Sequence, residues 1–180
     1  SVQSLVTLLV IIWGMRLSLH IYSRWSKADK EDGRYIDMRQ RYAKLPGGIA
    51  INMYIRVFII QALLAVIVSA SVIVVNNSEP VAIGILAAIG LGIWLIGFIF
   101  ESVGDKQLQS HLASPNNKGK LMTSGLWKYT RHPNYFGEAT QWWGIWIIAL
   151  SVPFGYIGIL GPIVITTLLC FISGIPLTEK

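Results

Sequence analysis

Charge is scarce in this sequence: Asp, Glu, Lys and Arg make up 13% of its 180 residues, against 53% hydrophobic ones. A soluble domain carries about 25% charged residues, so a chain folding in water around a single core is excluded. Cysteine is nearly missing as well. Cys170 stands by itself in an apolar stretch, which excludes an internal disulfide. His20, His111 and His132 are scattered without zinc-site spacing, so no metal site is expected. Low-complexity tracts and internal repeats are lacking too. The sequence starts at Ser1 inside one apolar run and stops at Lys180 just past another. It is expected to be a fragment truncated at both ends, in which a signal peptide can be neither read nor excluded.

Long apolar runs are what the chain has instead. Crossing a hydrocarbon core of about 30 Å takes roughly 20 mostly apolar helical residues. Five stretches approach that: residues 2–22, 49–75, 81–100, 135–151 and 155–172. The last two are short, and Pro153 and Gly155 mark a turn that makes them a tight helical hairpin. The expected fold is all-α, a polytopic transmembrane helical bundle of about five spans forming a single integral membrane domain over residues 1–180. The net charge of +6 does not imply a nucleic-acid partner, because the basic residues cluster between the apolar runs. Loop 23–48 holds Arg24, Lys27, Lys30, Arg34, Arg39, Arg41 and Lys44, and loop 101–134 holds Lys106, Lys118, Lys120, Lys128 and Arg131. The opposite connections, 76–80 and 152–154, hold no basic residue. The positive-inside rule then places both long loops in the cytosol (the inner membrane, for a bacterial protein). Arg16 and Arg56 fall at cytosolic helix ends, where long side chains snorkel. Gly84, Ala88 and Gly92 repeat every fourth residue of the third span, a spacing that predicts close packing of that face on a neighbouring helix.

The polar residues gather in two of these regions. Arg16, His20 and Arg24 recur at i, i+4 and i+8 and share one helix face near the membrane boundary. The dense patch Glu31-Asp32-Gly33-Arg34-Tyr35 follows them. A basic rim alone would explain any one of these residues; together they point to a site that holds an anion. In the second region Glu101, Asp105 and Gln109 form another i, i+4, i+8 stripe, so the third helix is expected to run on past the membrane. A solvated helix face explains that stripe equally well. Residues 125–138 then read Gly-Leu-Trp-Lys-Tyr-Thr-Arg-His-Pro-Asn-Tyr-Phe-Gly-Glu. Pro133 suits the first turn of a helix because no N–H is needed there. Free N–H groups at a helix start attract anions, with Arg131 and His132 beside them. Trp127, Tyr129 and Tyr135 fit an interfacial anchor as well as a binding site. Glu138 lies one turn into the fourth span, where a carboxylate is costly without a partner or a task.

The 125–138 stretch resembles the signature of the DUF1295 membrane proteins, relatives of steroid 5-alpha-reductase. Trp13-Gly14-x-Arg16-Leu17 with Arg24, the Glu31-Asp32-x-Arg34-Tyr35 element and the closing 173–180 segment resemble the same family in order. The resemblance implies a helical bundle that holds NADPH on its cytosolic side and admits a lipid or steroid-like substrate from the membrane. By motif, Arg34, Tyr35, Glu101, Asp105, Asn134 and Glu138 would contact the cofactor, and Arg16, Arg131, His132 and Tyr135, from the same polar regions, are further candidate contacts. Trp13, Tyr35 and Glu138 are the catalytic candidates, Trp13 falling near a position where the family has a carbonyl-binding Tyr. The chain departs from the family where Gln109 and His111 replace an Arg. The implied reaction is hydride transfer to a C=C bond conjugated to a carbonyl. One alternative is an S-adenosylmethionine-dependent methyltransferase of the isoprenylcysteine carboxyl type, and another is a non-enzymatic protein that binds membrane lipids.

Overall fold

The computed structural model describes residues 1–26 and 33–175, and for Arg34 the backbone alone. Glu31, Asp32 and residues 176–180 of the closing motif lie outside the described residues. Every regular element among the described residues is helical. The helices are α1 (Val2–Trp25), α2 (Gly33–Tyr42), α3 (Gly48–Met53), α4 (Ile60–Val68), α5 (Ala70–Asn76), α6 (Ile85–Ala113), α7 (Pro133–Ala149) and α8 (Leu160–Thr167). A π-helical stretch, Tyr54–Ile59, joins α3 to α4, and a second, Leu168–Ile172, extends α8.

Four helical stretches are long and apolar enough to cross a membrane: Val2–Trp25, Gly48–Val68, Ile85–Ala113 and Gly155–Ile172. The protein is an integral membrane protein. Helix α7 has 17 residues and at 1.5 Å per residue covers about 26 Å, a little less than the hydrocarbon core. Apolar side chains on these helices point outward, as for Ile85 at 75% exposure and Phe171 at 75%, which suits lipid rather than water as the surrounding solvent. The expected second span ends earlier than residue 75: Ser69, at φ −78° and ψ 4°, leaves helical geometry and α5 starts anew at Ala70.

The chain divides into two compact units, one of Ser1–Ile11 with Val68–Lys180 and the other of Ile12–Ile67. In the second, Gly47 and Gly48 take φ of 87° and 65°, a left-handed turn that suits glycine. Buried Asn52 donates to Pro46 O at 2.9 Å and Gly48 O at 2.8 Å and accepts from Arg56 Nε at 3.1 Å, locking that turn onto α3. In the first unit, fully buried Val2 and Val6 anchor the start of α1. Val2 N donates to Val81 O at 2.9 Å and Gln3 Nε2 to Glu79 O at 2.9 Å. Ser71 Oγ on α5 donates to Gly158 O at 2.9 Å.

Antiparallel α6 and α7 form the core of that first unit, and glycine decides how they meet. A Cβ on Gly90 would lie 2.6 Å from Gly144 O, and one on Gly97 would lie 2.6 Å from Gly137 O. A Cβ on Gly104 would lie 3.2 Å from Pro133 Cγ. The face expected from Gly84, Ala88 and Gly92 is not the packing face. Gly84 and Gly92 have nothing within 4 Å of a Cβ position, and Ala88 is exposed. The seam follows a seven-residue repeat, Gly90, Gly97 and Gly104, matched by Gly137 and Gly144. That is the period of helices wound around each other at a shallow left-handed angle. A four-residue repeat belongs to a steeper, right-handed crossing.

Candidate functional site

Beyond its glycine layers the α6–α7 seam turns polar. Glu101 is 3% exposed, Asp105 9% and Gln141 1%. The expectation of a helix running on past residue 100 holds, since α6 reaches Ala113. Its acidic stripe is no solvated face: Glu101 and Asp105 turn into α7. Gln141 Nε2 donates to Glu101 Oε2 at 2.5 Å, and Asn134 Nδ2 donates to Asp105 Oδ1 at 3.1 Å. A carboxylate only accepts, so these two bonds fix which way each amide points. Each amide therefore turns its oxygen away from its carboxylate. Among the described residues, buried Asn134 Oδ1 and Gln141 Oε1 have no hydrogen-bond partner, and neither does Ser102 Oγ. An unmet buried acceptor costs about 1–3 kcal/mol, which makes such atoms natural places for a ligand's donors.

The start of α7 falls at Pro133, as the sequence predicts. Pro133 is buried and packs against Gly104, while His132 takes an extended φ of −140° as the N-cap. His132 stacks on Tyr135 with ring centroids 5.2 Å apart, and Trp127 meets it edge-on at 6.3 Å. Trp127 Nε1 also donates to Gly104 O at 3.1 Å. Trp127 is thereby part of the packing around the helix start, whereas Tyr129 is 81% exposed. Arg131 is exposed at the mouth of the seam, and Glu138 is half-buried between Asn134 and Gln141 along α7.

Six of the sequence-predicted residues thus gather at one end of one helix pair: Glu101, Asp105, His132, Asn134, Tyr135 and Glu138. Trp13 and Arg16 lie half-buried on α1, and Tyr35 is 41% exposed on α2. Sequence reasoning missed Gln141 and Ser102. Gln141 could have been found, because it stands seven residues after Asn134 and three after Glu138 on the same helix face.

A family model described as "Protein of unknown function (DUF1295)" matches residues 1–180. Among curated proteins, 3-oxo-5-alpha-steroid 4-dehydrogenase 1 of Homo sapiens is 37% identical over 65 residues, 36% of this chain and 25% of that protein. Its counterpart in Macaca fascicularis is 37% identical over 65 residues, 36% of this chain and 24% of that protein. The Mus musculus protein is 33% identical over 64 residues, 35% of this chain and 25% of its own length. Each match spans about a quarter of the curated relative. No solved structure matches the chain.

Proposed function

The chain belongs to the DUF1295 family, and from that premise we propose that it is a membrane-embedded NADPH-dependent reductase. Its substrate would be a lipid or steroid-like molecule with a C=C bond conjugated to a carbonyl. The observation that carries this reading is the polar seam, in which Asp105 and Glu101 orient Asn134 and Gln141 and leave amide oxygens as unmet acceptors. The residues fit the cofactor. A carboxamide NH2 or a ribose hydroxyl has the donor that Asn134 Oδ1 lacks, and Glu138 offers a further acceptor on the same face. Phosphates suit the mouth instead, where Arg131 and His132 stand beside the first N–H groups of α7. Arg16, Arg34 and Tyr35 are proposed cofactor contacts on the family resemblance alone. When bound, the nicotinamide supplies a hydride for the β-carbon of the conjugated system.

The protein's own task is to hold that geometry and stabilise the negative charge that develops on the carbonyl oxygen. On the family resemblance alone, Tyr35 is the candidate to give that oxygen a hydrogen bond and a proton, and Trp13 a hydrogen bond. Glu138 acts from the cofactor side by orienting donors. The similar proteins are named as 4-dehydrogenases of 3-oxo-5-alpha-steroids, redox chemistry on a CH–CH bond near a ketone, which supports the same bond type here. The basic loops 23–48 and 101–134 support a site on the cytosolic face.

Thermal unfolding of the purified protein in detergent with NADPH, NADH or S-adenosylmethionine tests the cofactor. A ligand at a hundred times its Kd stabilises by about 2.7 kcal/mol, so NADPH is expected to raise Tm by several degrees. Stabilisation by S-adenosylmethionine alone would replace this reading with the methyltransferase.

A further inference from the structure

The turns of α6 that bring Glu101 and Asp105 to α7 present a different set of side chains on their opposite face. Lys106, Gln107, Ser110 and His111 fall there by helical periodicity, and the segment after α6 folds back across them. Four hydrogen bonds tie that segment to the helix. Asn117 Nδ2 donates to His111 O at 3.2 Å, and His111 Nε2 lies 3.0 Å from Lys120 O. Gln107 Oε1 accepts from Leu126 N at 3.0 Å, and Gly104 O accepts from Trp127 Nε1 at 3.1 Å. Gly125, at φ 63°, sits against the Gln107 amide, where a Cβ would overlap it. Between these ties a cleft of about 440 Å³ remains, lined on its polar side by Lys106, Gln107, Ser110, His111, Asn117 and Ser124. Among the described residues, none that lines it is a carboxylate.

The geometry points to a second binding site in this cleft, separate from the α6–α7 seam, for a phosphate-bearing anion. Lys106 supplies the charge, and Ser110 and Ser124 supply hydroxyl donors. Gln107, its oxygen already engaged by Leu126 N, has its NH2 to offer. A lining rich in donors and free of carboxylates complements phosphate oxygens, and the volume falls within the range of small-molecule sites. The same chemistry serves a soluble phosphate compound and the headgroup of an anionic phospholipid. This inference rests on the cleft and not on the reductase reading.

The test is a titration of the purified protein in detergent with pyrophosphate and, separately, with short-chain phosphatidic acid. Wild type is compared with Lys106→Ala, Lys106→Gln, Ser110→Ala and Arg131→Ala. Losing a charge-assisted hydrogen bond weakens binding about tenfold or more, so both Lys106 variants are expected to lose that much affinity and Ser110→Ala less. Arg131→Ala should keep the Lys106-dependent binding of the anion, and Lys106→Ala should keep its response to NADPH. Binding of pyrophosphate identifies a soluble ligand, and binding of phosphatidic acid alone identifies a lipid headgroup. Equal anion affinity in wild type and both Lys106 variants overturns the site. So does a loss confined to Arg131→Ala, or no binding of either probe to wild type.

Discussion

Asn134 and Arg131 do different things at one helix start, and their variants should separate. Asn134→Ala removes an oriented acceptor and leaves Asp105 one donor short. Arg131→Ala removes a cation from an exposed position. Both are expected to weaken NADPH binding about tenfold to a hundredfold, a charge-assisted hydrogen bond being worth about 1.5–3 kcal/mol. Arg131→Ala should change the Tm without ligand less than Asn134→Ala does; unaltered NADPH affinity in both variants would reduce the motif to packing. Glu138→Gln is expected to fold normally and lose affinity or turnover. A Glu138→Gln protein that melts early yet binds NADPH normally would make that carboxylate structural. Asn134 and Glu138 were legible in the sequence because polar residues in an apolar run are costly to keep. Glu101 and Asp105 were found, but their setting was not. A stripe at i and i+4 looks the same whether it faces water or a second polar stripe, and only the fold puts Gln141 and Asn134 opposite it.

The α6–α7 pair is the element on which the site depends, because its glycines set how closely the two backbones approach. Gly97→Ala would push a methyl to 2.6 Å from Gly137 O, and backbone cannot swing aside as a side chain can. Overpacking of this kind costs about 1–3 kcal/mol, so Gly97→Ala should lower the Tm in detergent and weaken NADPH binding through the displaced Glu101–Gln141 layer. Gly92→Ala, five residues earlier with nothing within 4 Å, should do neither. Equal Tm for the two variants would mean that the helices do not pack through the seven-residue glycine repeat. Both repeats stood in the sequence. The four-residue one has the spacing of close helix crossings, whereas the seven-residue one acquires meaning only from Gly137 and Gly144 on another helix. The start of α7 was legible outright, since Pro133 tolerates few other helical positions.

For the whole molecule, the membrane class could be read from composition and run length alone, and the four candidate spans agree with it. Their exact ends could not, as Ser69 and the extended Gly84 before Ile85 show. The proposed orientation rests on charge: single cysteines at Ser26 and Ser114, in a Cys170→Ala background, should label from the cytosolic side, and one at Ser78 from the other. Labelling of Ser26 and Ser114 from opposite sides would break the topology. The central claim concerns the chemistry. The most direct measurement follows NADPH absorbance and product mass together, with the protein in detergent and a 4-ene-3-oxo steroid as the conjugated substrate, alongside the Asn134→Ala variant. A reductase consumes NADPH in step with a product heavier by two hydrogens, one of them deuterium when the cofactor is labelled at its transferable position, and Asn134→Ala slows both. Product formed without label from the cofactor, or NADPH consumed equally by wild type and variant with no reduced product, contradicts it.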